Sequence, residues 1–365
     1  SAEILSGVRH GLSTGAPISL LIRNRDFENW QHVMASQEVD KESEEVRAQE
    51  LKKKIGRFRP GHADLAGTLK FKHKDIRDVL ERASARETAA RVAAGSVCEQ
   101  LLAQLGIEIL SHVIAIGPVK TALDSEALSF AEIRQKLSLS EMSCLDGSVE
   151  NSMKEHIKAA WQDGDSVGGI LEVLVDGLPV GLGSYTQWDE KLDGQLSQAL
   201  MSIQAIKAVE FGDGVESAQL PGSKVHDALY PRAAASGDLP FSRLSNHAGG
   251  IEGGMTNGAR LRVRAYMKPI PTLRKGLPSL SFPEYQAETA HYERSDVCAV
   301  PAASVVAKAM TAIILCRALV GKFGADNFID LRESLERNRR WCAALSAESA
   351  SLAAQEDGNP EMELE

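Results

Sequence analysis

The most restrictive local feature of the chain is an Asp176-Gly177 dipeptide set between two apolar runs. These are Gly169-Ile170-Leu171-Glu172-Val173-Leu174-Val175 and Leu178-Pro179-Val180-Gly181-Leu182. Asp-Gly readily adopts the left-handed conformation of a two-residue hairpin turn, so the pattern predicts an antiparallel pair. Further strands are expected over residues 18–22, 109–117 and 260–267. In the last, Leu261, Val263, Ala265 and Met267 alternate with Arg260, Arg262 and Arg264. Helical spacing links Ile76, Val79, Leu80, Ala83, Ala90, Val97 and Leu101 between residues 75 and 105, and small residues over 89–95 favour close packing. Two more helices are expected from about 192 to 209 and from about 301 to 322, the second with Pro301 in its first turn and Gly321 and Gly324 at its end. A hairpin beside separate long helices points to an α+β fold of antiparallel sheets packed on helices.

A chain of 365 residues holds two modest domains or one large α+β domain, and 43% hydrophobic residues suffice for its core. A net charge of −9 argues against sequence-independent nucleic-acid binding, which needs excess Lys and Arg. The most apolar stretch, residues 298–320, is broken by Pro301, Lys308 and Arg317 and reads as a buried helix, a poor membrane span. No basic-apolar signal opens the chain, and the start at Ser1 is expected to reflect removal of something upstream. Five scattered cysteines without a CxxC pair indicate reduced thiols in a cytosol-like compartment and no structural zinc. Residues 346–365 carry five Glu, one Asp and no Lys or Arg, and are expected to form a solvated, mobile tail. Residues 24–58 are polar, with charge runs at 40–45 and 52–54. They read as a solvated surface helix, or as a flap, because they lead directly into the first chemical motif.

Chemistry-bearing side chains crowd into three segments. Two lie close together: Arg57-Phe58-Arg59-Pro60-Gly61-His62-Ala63-Asp64 and Arg82-Ala83-Ser84-Ala85-Arg86-Glu87-Thr88. The third, Glu293-Arg294-Ser295-Asp296, is far downstream. Arg82 and Arg86, four apart on an expected helix, can grip a phosphate or carboxylate, or else pair with Asp78, Glu81 or Glu87. His62, flanked by arginines, is placed to pass a proton beside a bound anion. It reads equally as a structural histidine, or with Asp64 as a metal-ligand pair for a hydrolase, although no further ligand stands at supporting spacing. Asp296 is either half of a surface ion pair with Arg294 or a carboxylate base tuned by that arginine and by burial. The glycine-rich run over residues 249–258 matches neither a dinucleotide fingerprint nor a P-loop. It reads as turns, or as backbone approaching a flat or phosphorylated ligand. Lys268-Pro269-Ile270-Pro271-Thr272 leaves the end of an expected strand, where binding groups gather.

In this order the segments resemble the chorismate synthase family. The matching stretches are Ser6-Gly7-Val8-Arg9-His10-Gly11 with Thr14-Gly15-Ala16-Pro17, Arg59-Pro60-Gly61-His62-Ala63-Asp64, residues 82–95, Gly164-Asp165-Ser166-Val167-Gly168-Gly169 and residues 180–193. Further on come the run ending at Gly258, Met267-Lys268-Pro269-Ile270-Pro271-Thr272 and residues 292–306, so the match covers nearly all of residues 3–325. The chain is thus expected to hold one domain over 1–325, a C-terminal helix over 326–345 and the acidic tail.

The resemblance implies a β-α-β sandwich, antiparallel sheets around a central layer of long helices, in a homotetramer; the cysteines, ligand spacing, charge and broken apolar run read above add the expectation of a cytoplasmic protein without metal, nucleic-acid or membrane partners. The reaction it implies is trans-1,4 elimination of phosphate from 5-enolpyruvylshikimate 3-phosphate to give chorismate, a step of aromatic amino acid biosynthesis. Reduced FMN is the cofactor, with NADPH or an outside reductant left open as electron source. By the resemblance, Arg82, Ala83, Ser84, Gln204, Ala205, Gly253, Lys268, Pro269, Ile270, Pro271, Thr272 and Arg294 contact FMN. His62 corresponds to the histidine that protonates the reduced flavin, and Asp296 to the carboxylate that helps remove the ring proton. Apart from the resemblance, Arg59 and Arg86 are read from their own charge and position as contacts for substrate anions. Gln204 stands where many members carry asparagine. The family's Gly-Glu-Ser-His-Gly motif, whose histidine protonates the leaving phosphate, does not occur in these residues, and His10 belongs to a different motif. The chain by itself is therefore expected to turn over poorly. A fold-retaining FMN-binding or scaffold protein is the competing class.

Overall fold

A computed structural model describes residues 2–40, 43–231, 239–324 and 326–356. An amino-terminal ribbon pairs β1 (Glu3–Ser6) with β2 (Ser19–Leu21). The central sheet comprises β3 (Glu108–Ile116), β4 (Val119–Lys120), β5 (Gly169–Asp176), β6 (Ile206–Phe211) and β7 (Leu261–Met267), in the spatial order β4-β3-β5-β7-β6. Every pairing in it is antiparallel. Helices used below are α1 (Glu44–Lys53), α2 (Asp64–Phe71), α3 (Ile76–Arg82), α4 (Thr88–Gln104), α5 (Phe130–Ser138), α6 (Gly147–Gln162), α7 (Leu192–Met201), α8 (Val300–Phe323) and α9 (Phe328–Glu356). The fold is α+β.

The hairpin expected at Asp176-Gly177 does not form. Both edges of β5 are taken by remote strands, β3 and β7, and residues 178–182 leave the sheet. Asp176 spends its carboxylate on Arg260, accepting from Nε at 2.9 Å and from NH2 at 3.1 Å. Gly177, at φ 85°, is so close to Gly106 that a Cβ would lie 2.2 Å from its carbonyl oxygen. Leu178 and Leu182 then fall into the core beside the helices.

Two expected helices are also shorter. Ser84 is extended (φ −64°, ψ 140°) and its Oγ accepts the Arg86 N–H at 3.2 Å, which separates α3 from α4. The helix from Leu192 stops at Met201, Ala205 takes φ 66°, and the following apolar residues become β6. In the third case sequence and structure agree closely. α8 is long and apolar enough to cross a membrane. Here it is the core helix, with Val300, Ala307, Leu315 and Leu319 buried against the sheet, α4 and α7.

Alternation in β7 separates the two faces of the sheet. Leu261, Val263 and Ala265 are buried among the helices. On the other face Arg264 donates to Glu172 at 2.8 Å, and the same carboxylate meets His112 at 2.9 Å and the Ser125 hydroxyl at 2.6 Å. Burial alone raises the Glu172 pKa, but these partners outweigh it and hold the carboxyl at about 2. α4 touches both the sheet and β2, so the helical layer lies between sheet and ribbon. α9 runs on to Glu356, so the acidic stretch beginning at residue 346 starts as helix, and residues 357–365 lie outside those described.

Small residues let α4 and α8 approach: a Cβ on Gly95 would stand 2.4 Å from that of Ala309. Gly95→Ala is expected to lower stability by about 1–3 kcal/mol, read from the urea midpoint. An unchanged midpoint would contradict this contact.

Candidate functional site

The first half of the site is built around Asp64, the first residue of α2, whose side chain is fully buried. Phe58 fixes the loop before it by packing on Phe282 at 5.6 Å and donating its N–H to the Leu280 carbonyl. Asp64 then accepts from the Arg59 backbone N–H at 3.1 Å, Arg59 Nε at 2.8 Å and Arg59 NH2 at 3.0 Å, and from His62 Nδ1 at 2.6 Å. Burial pushes this carboxyl's pKa up, but the His62 and Arg59 bonds outweigh it and hold it at about 2. With the Nδ1 proton given to Asp64, His62 keeps Nε2 as the nitrogen able to take up a proton, 3.4 Å from Arg59 NH2. Arg59, expected at a substrate anion, is instead buried and spent on Asp64 and on the Thr272 hydroxyl, 3.4 Å from NH1.

That last bond joins the loop to residues 268–272. Lys268 Nζ donates to the Gly61 carbonyl at 2.5 Å, and its backbone N–H donates to the Ala205 carbonyl at 2.9 Å. Beside Ala205, Gln204 Nε2 donates to Glu87 at 2.8 Å, which draws in the turn carrying Arg82, Ala83, Ser84 and Arg86. The Gln204 amide oxygen is buried and has no partner. Arg82 is exposed and only 4.0 Å from Glu87 at its nearest, whereas Arg86 is held by Glu81 at 2.6 Å. The Ile270 carbonyl accepts from the Ser166 hydroxyl at 2.6 Å, and Val167 forms a backbone bridge with Cys298. Hydrogen bonds therefore connect six segments that the sequence holds far apart.

Two residues went unrecognised in the sequence, and a third, Glu87, was read only as an ion-pair partner for the arginines. Arg77, almost fully buried in α3, donates Nε (3.1 Å) and NH2 to the Lys53 carbonyl, and NH1 to Glu81 at 3.2 Å and Glu293 at 3.5 Å. It links the charged helix α1 to the downstream Glu293-Arg294 segment. Trp30 sits among Lys53, Arg77 and Arg86, with Lys53 Nζ 3.9 Å from its ring centre. Glu87 holds the Gln204 amide. A buried arginine inside an apolar helical pattern was the only local hint of the first; the others depend on tertiary contact.

Three expected members stay outside this bonded cluster. Gly253, at φ 60° in the turn between Ile251–Glu252 and Met255–Thr256, lies by the start of α7, where the Gly254 carbonyl accepts the Leu192 N–H. Gln204 follows the other end of that helix, about 15 Å along it. Asp296 is exposed, makes no ion pair with Arg294 among the described residues, and lines a pocket of about 460 Å³ with Lys154, Lys158, Trp161 and Cys298. Tuning of Asp296 by burial and an arginine neighbour is thus corrected. Arg294 is exposed as well. Among the described residues no group of three His, Cys, Asp or Glu could hold a metal ion.

A family model described as chorismate synthase matches residues 1–320. Chorismate synthase of Bacillus cytotoxicus is 48% identical over 342 residues, spanning 93% of this chain and 85% of that protein. Its counterpart from Geobacillus thermodenitrificans is 48% identical over 340 residues, 93% of this chain and 84% of its own length. A solved structure described as a crystal structure of chorismate synthase superposes with a TM-score of 0.74 at 38% identity, covering 94% of this chain and 85% of the other.

Asp64→Asn is expected to cost about 3–5 kcal/mol, because Arg59 stays buried without its counter-charge. Since folding lowers this carboxyl's pKa, the stability it gives is fully present above about pH 4 and is lost as pH falls towards about 2. Denaturant titrations across that window should show the acid loss in the natural chain and a shallower one in the variant. Identical acid limbs would contradict the pairing.

Proposed function

The chain belongs to the chorismate synthase family of carbon–oxygen lyases, and from that premise we propose that it eliminates phosphate from 5-enolpyruvylshikimate 3-phosphate, with reduced FMN bound beside residues 268–272. The observation that carries this reading is the joining of residues 59–64, 84–87, 204–205 and 268–272 by direct hydrogen bonds. The cofactor fits these residues: the unpartnered Gln204 amide oxygen offers an acceptor to the N–H edge of a flavin. The nearby backbone of Ala205 is held in a left-handed conformation. Arg82, Arg294 and Lys268 supply positive charge for its phosphate. Reduced FMN, when bound, would supply an electron-rich ring to a reaction that has no net redox change.

The chain's own residues then have separate tasks. Asp64 locks the His62 ring so that Nε2 is the nitrogen that would hold or pass a proton towards the bound cofactor, and Arg59 keeps that dyad in place. Arg86 is the second anion contact once it leaves Glu81. Asp296, free of an arginine partner among the described residues, is the carboxylate assigned to the ring proton. Assembly as a homotetramer in the cytoplasm, working in aromatic amino acid biosynthesis, belongs to the same reading. So does supply of electrons by NADPH or an outside reductant.

One observation favours flavin binding without turnover for these 365 residues taken alone: no Gly-Glu-Ser-His-Gly motif occurs in them. Titration with FMN and substrate is expected to show saturable binding with a perturbed flavin absorbance. Chorismate formation under dithionite should be roughly a hundredfold or more below that of the chain preceded by a segment bearing the motif. In that longer chain His62→Ala should cut turnover by a similar factor while leaving FMN bound. Absence of FMN binding would overturn the functional reading, and rapid turnover by the 365 residues would overturn the need for the motif.

A further inference from the structure

Two thiols meet where α4 packs on α8. A Cβ on Gly95 would stand 2.6 Å from the Ala309 Cα, so the two backbones run in direct contact there. Cys98 follows Gly95 by three residues and Cys316 follows Ala309 by seven, spacings that keep both on the facing stripes of their helices. The Cys316 Sγ–H donates to the Cys98 carbonyl at 3.4 Å. Both side chains belong to one apolar cluster, Cys316 buried within it and Cys98 half-buried at its edge. Lys308 Nζ, 2.9 Å from Glu99, clamps the helices beside Cys98. A disulfide needs Cα atoms no more than about 7 Å apart, and helices held this closely meet that need where they stand.

The two thiols differ in the way that stepwise oxidation requires. A hydrogen bond from Cys316 lowers the Cys98 pKa and outweighs burial, which would raise it. The same contact, and then burial, raises that of Cys316. Burial likewise raises Cys144 and Cys298. We propose that Cys98 and Cys316 form a reversible redox site, which hydrogen peroxide closes to a disulfide between α4 and α8. The Cys98 thiolate attacks one peroxide oxygen, the O–O bond breaks, and the departing hydroxide takes the thiol proton to leave as water. Cys98 becomes a sulfenic acid. The Cys316 sulfur then attacks the Cys98 sulfur, the S–O bond breaks, and the Cys316 proton leaves with the hydroxide as a second water. Two thiols are oxidised, one peroxide is reduced, and a dithiol reverses the bond. Only Cys98 has to meet the oxidant, so the burial of Cys316 is no obstacle. The bond joins positions 218 residues apart, on the helices that follow residues 84–87 and 294–296 of the candidate site.

Treatment of the full folded chain with hydrogen peroxide, followed by thiol counting after denaturation and peptide mapping without reductant, tests this. Free thiols are expected to fall from five to three, with one cross-linked peptide pair joining Cys98 to Cys316, and dithiothreitol should restore all five. In Cys316→Ala the sulfenic acid at Cys98 has no thiol to resolve it, so dimedone should label Cys98 and no bridge should form. Cys98→Ser alters a half-buried position and should lose thiols at least about tenfold more slowly than the natural chain, with circular dichroism confirming its fold. Retention of all five thiols in the natural chain would overturn the proposal. So would a bridge through any other cysteine, or thiol loss at the natural rate in Cys98→Ser.

Discussion

A carboxylate without access to water must be met by protein donors, and Asp64 imposes that requirement on everything around it. Its oxygens accept bonds from Arg59 and His62, five and two residues away in the same loop, so the loop has little freedom left. Gly61 at φ 81° allows the turn between them and presents its carbonyl to Lys268. Arg59, with its charge answered, still has NH1 for Thr272. A buried ion pair of this sort gives little net stability over an apolar replacement. What it gives here is position: one imidazole tautomer, and one seat for residues 268–272 beside it.

The fold class was legible because long periodic segments and alternating strands report burial directly. β3, β7 and α8 stand close to where the alternation and helical spacing put them. Errors came where tertiary contact overrode a local signal. Asp176-Gly177 has hairpin chemistry, yet pairing with Arg260 and burial of Leu178 and Leu182 won. The apolar residues after Met201 continue a helical pattern, but they pair with β7 in the sheet. In the site, the motif segments were readable as a group, and most of them meet. Roles were less readable. Arg59 looked like an anion contact and is a buried scaffold, while Asp296, which read either as half of a surface ion pair or as a buried base, is exposed. Arg77 gave almost no signal, since its importance lies in reaching Lys53, Glu81 and Glu293 across three elements.

The charged segment over residues 40–54 gains a physical role from that arginine. The carbonyl at the end of α1 is taken by Arg77, and Trp30 lies among three cations that include Arg86. A stretch that reads as a solvated surface helix is thereby fastened to the turn carrying Ser84 and Arg86. β7 divides the remaining labour: its apolar face carries the helical layer, its arginines serve the outer face, and its C-terminal end leads into residues 268–272 of the candidate site.

The claim on which the functional reading rests is that remote segments act as one ligand-binding unit. Amide hydrogen exchange of the full chain, with and without oxidised FMN plus 5-enolpyruvylshikimate 3-phosphate, measures that unit directly. The arrangement predicts simultaneous slowing over residues 57–64, 82–91, 202–205 and 268–272. Slowing confined to one of these segments, or none in any of them while the ligands are bound, would contradict it.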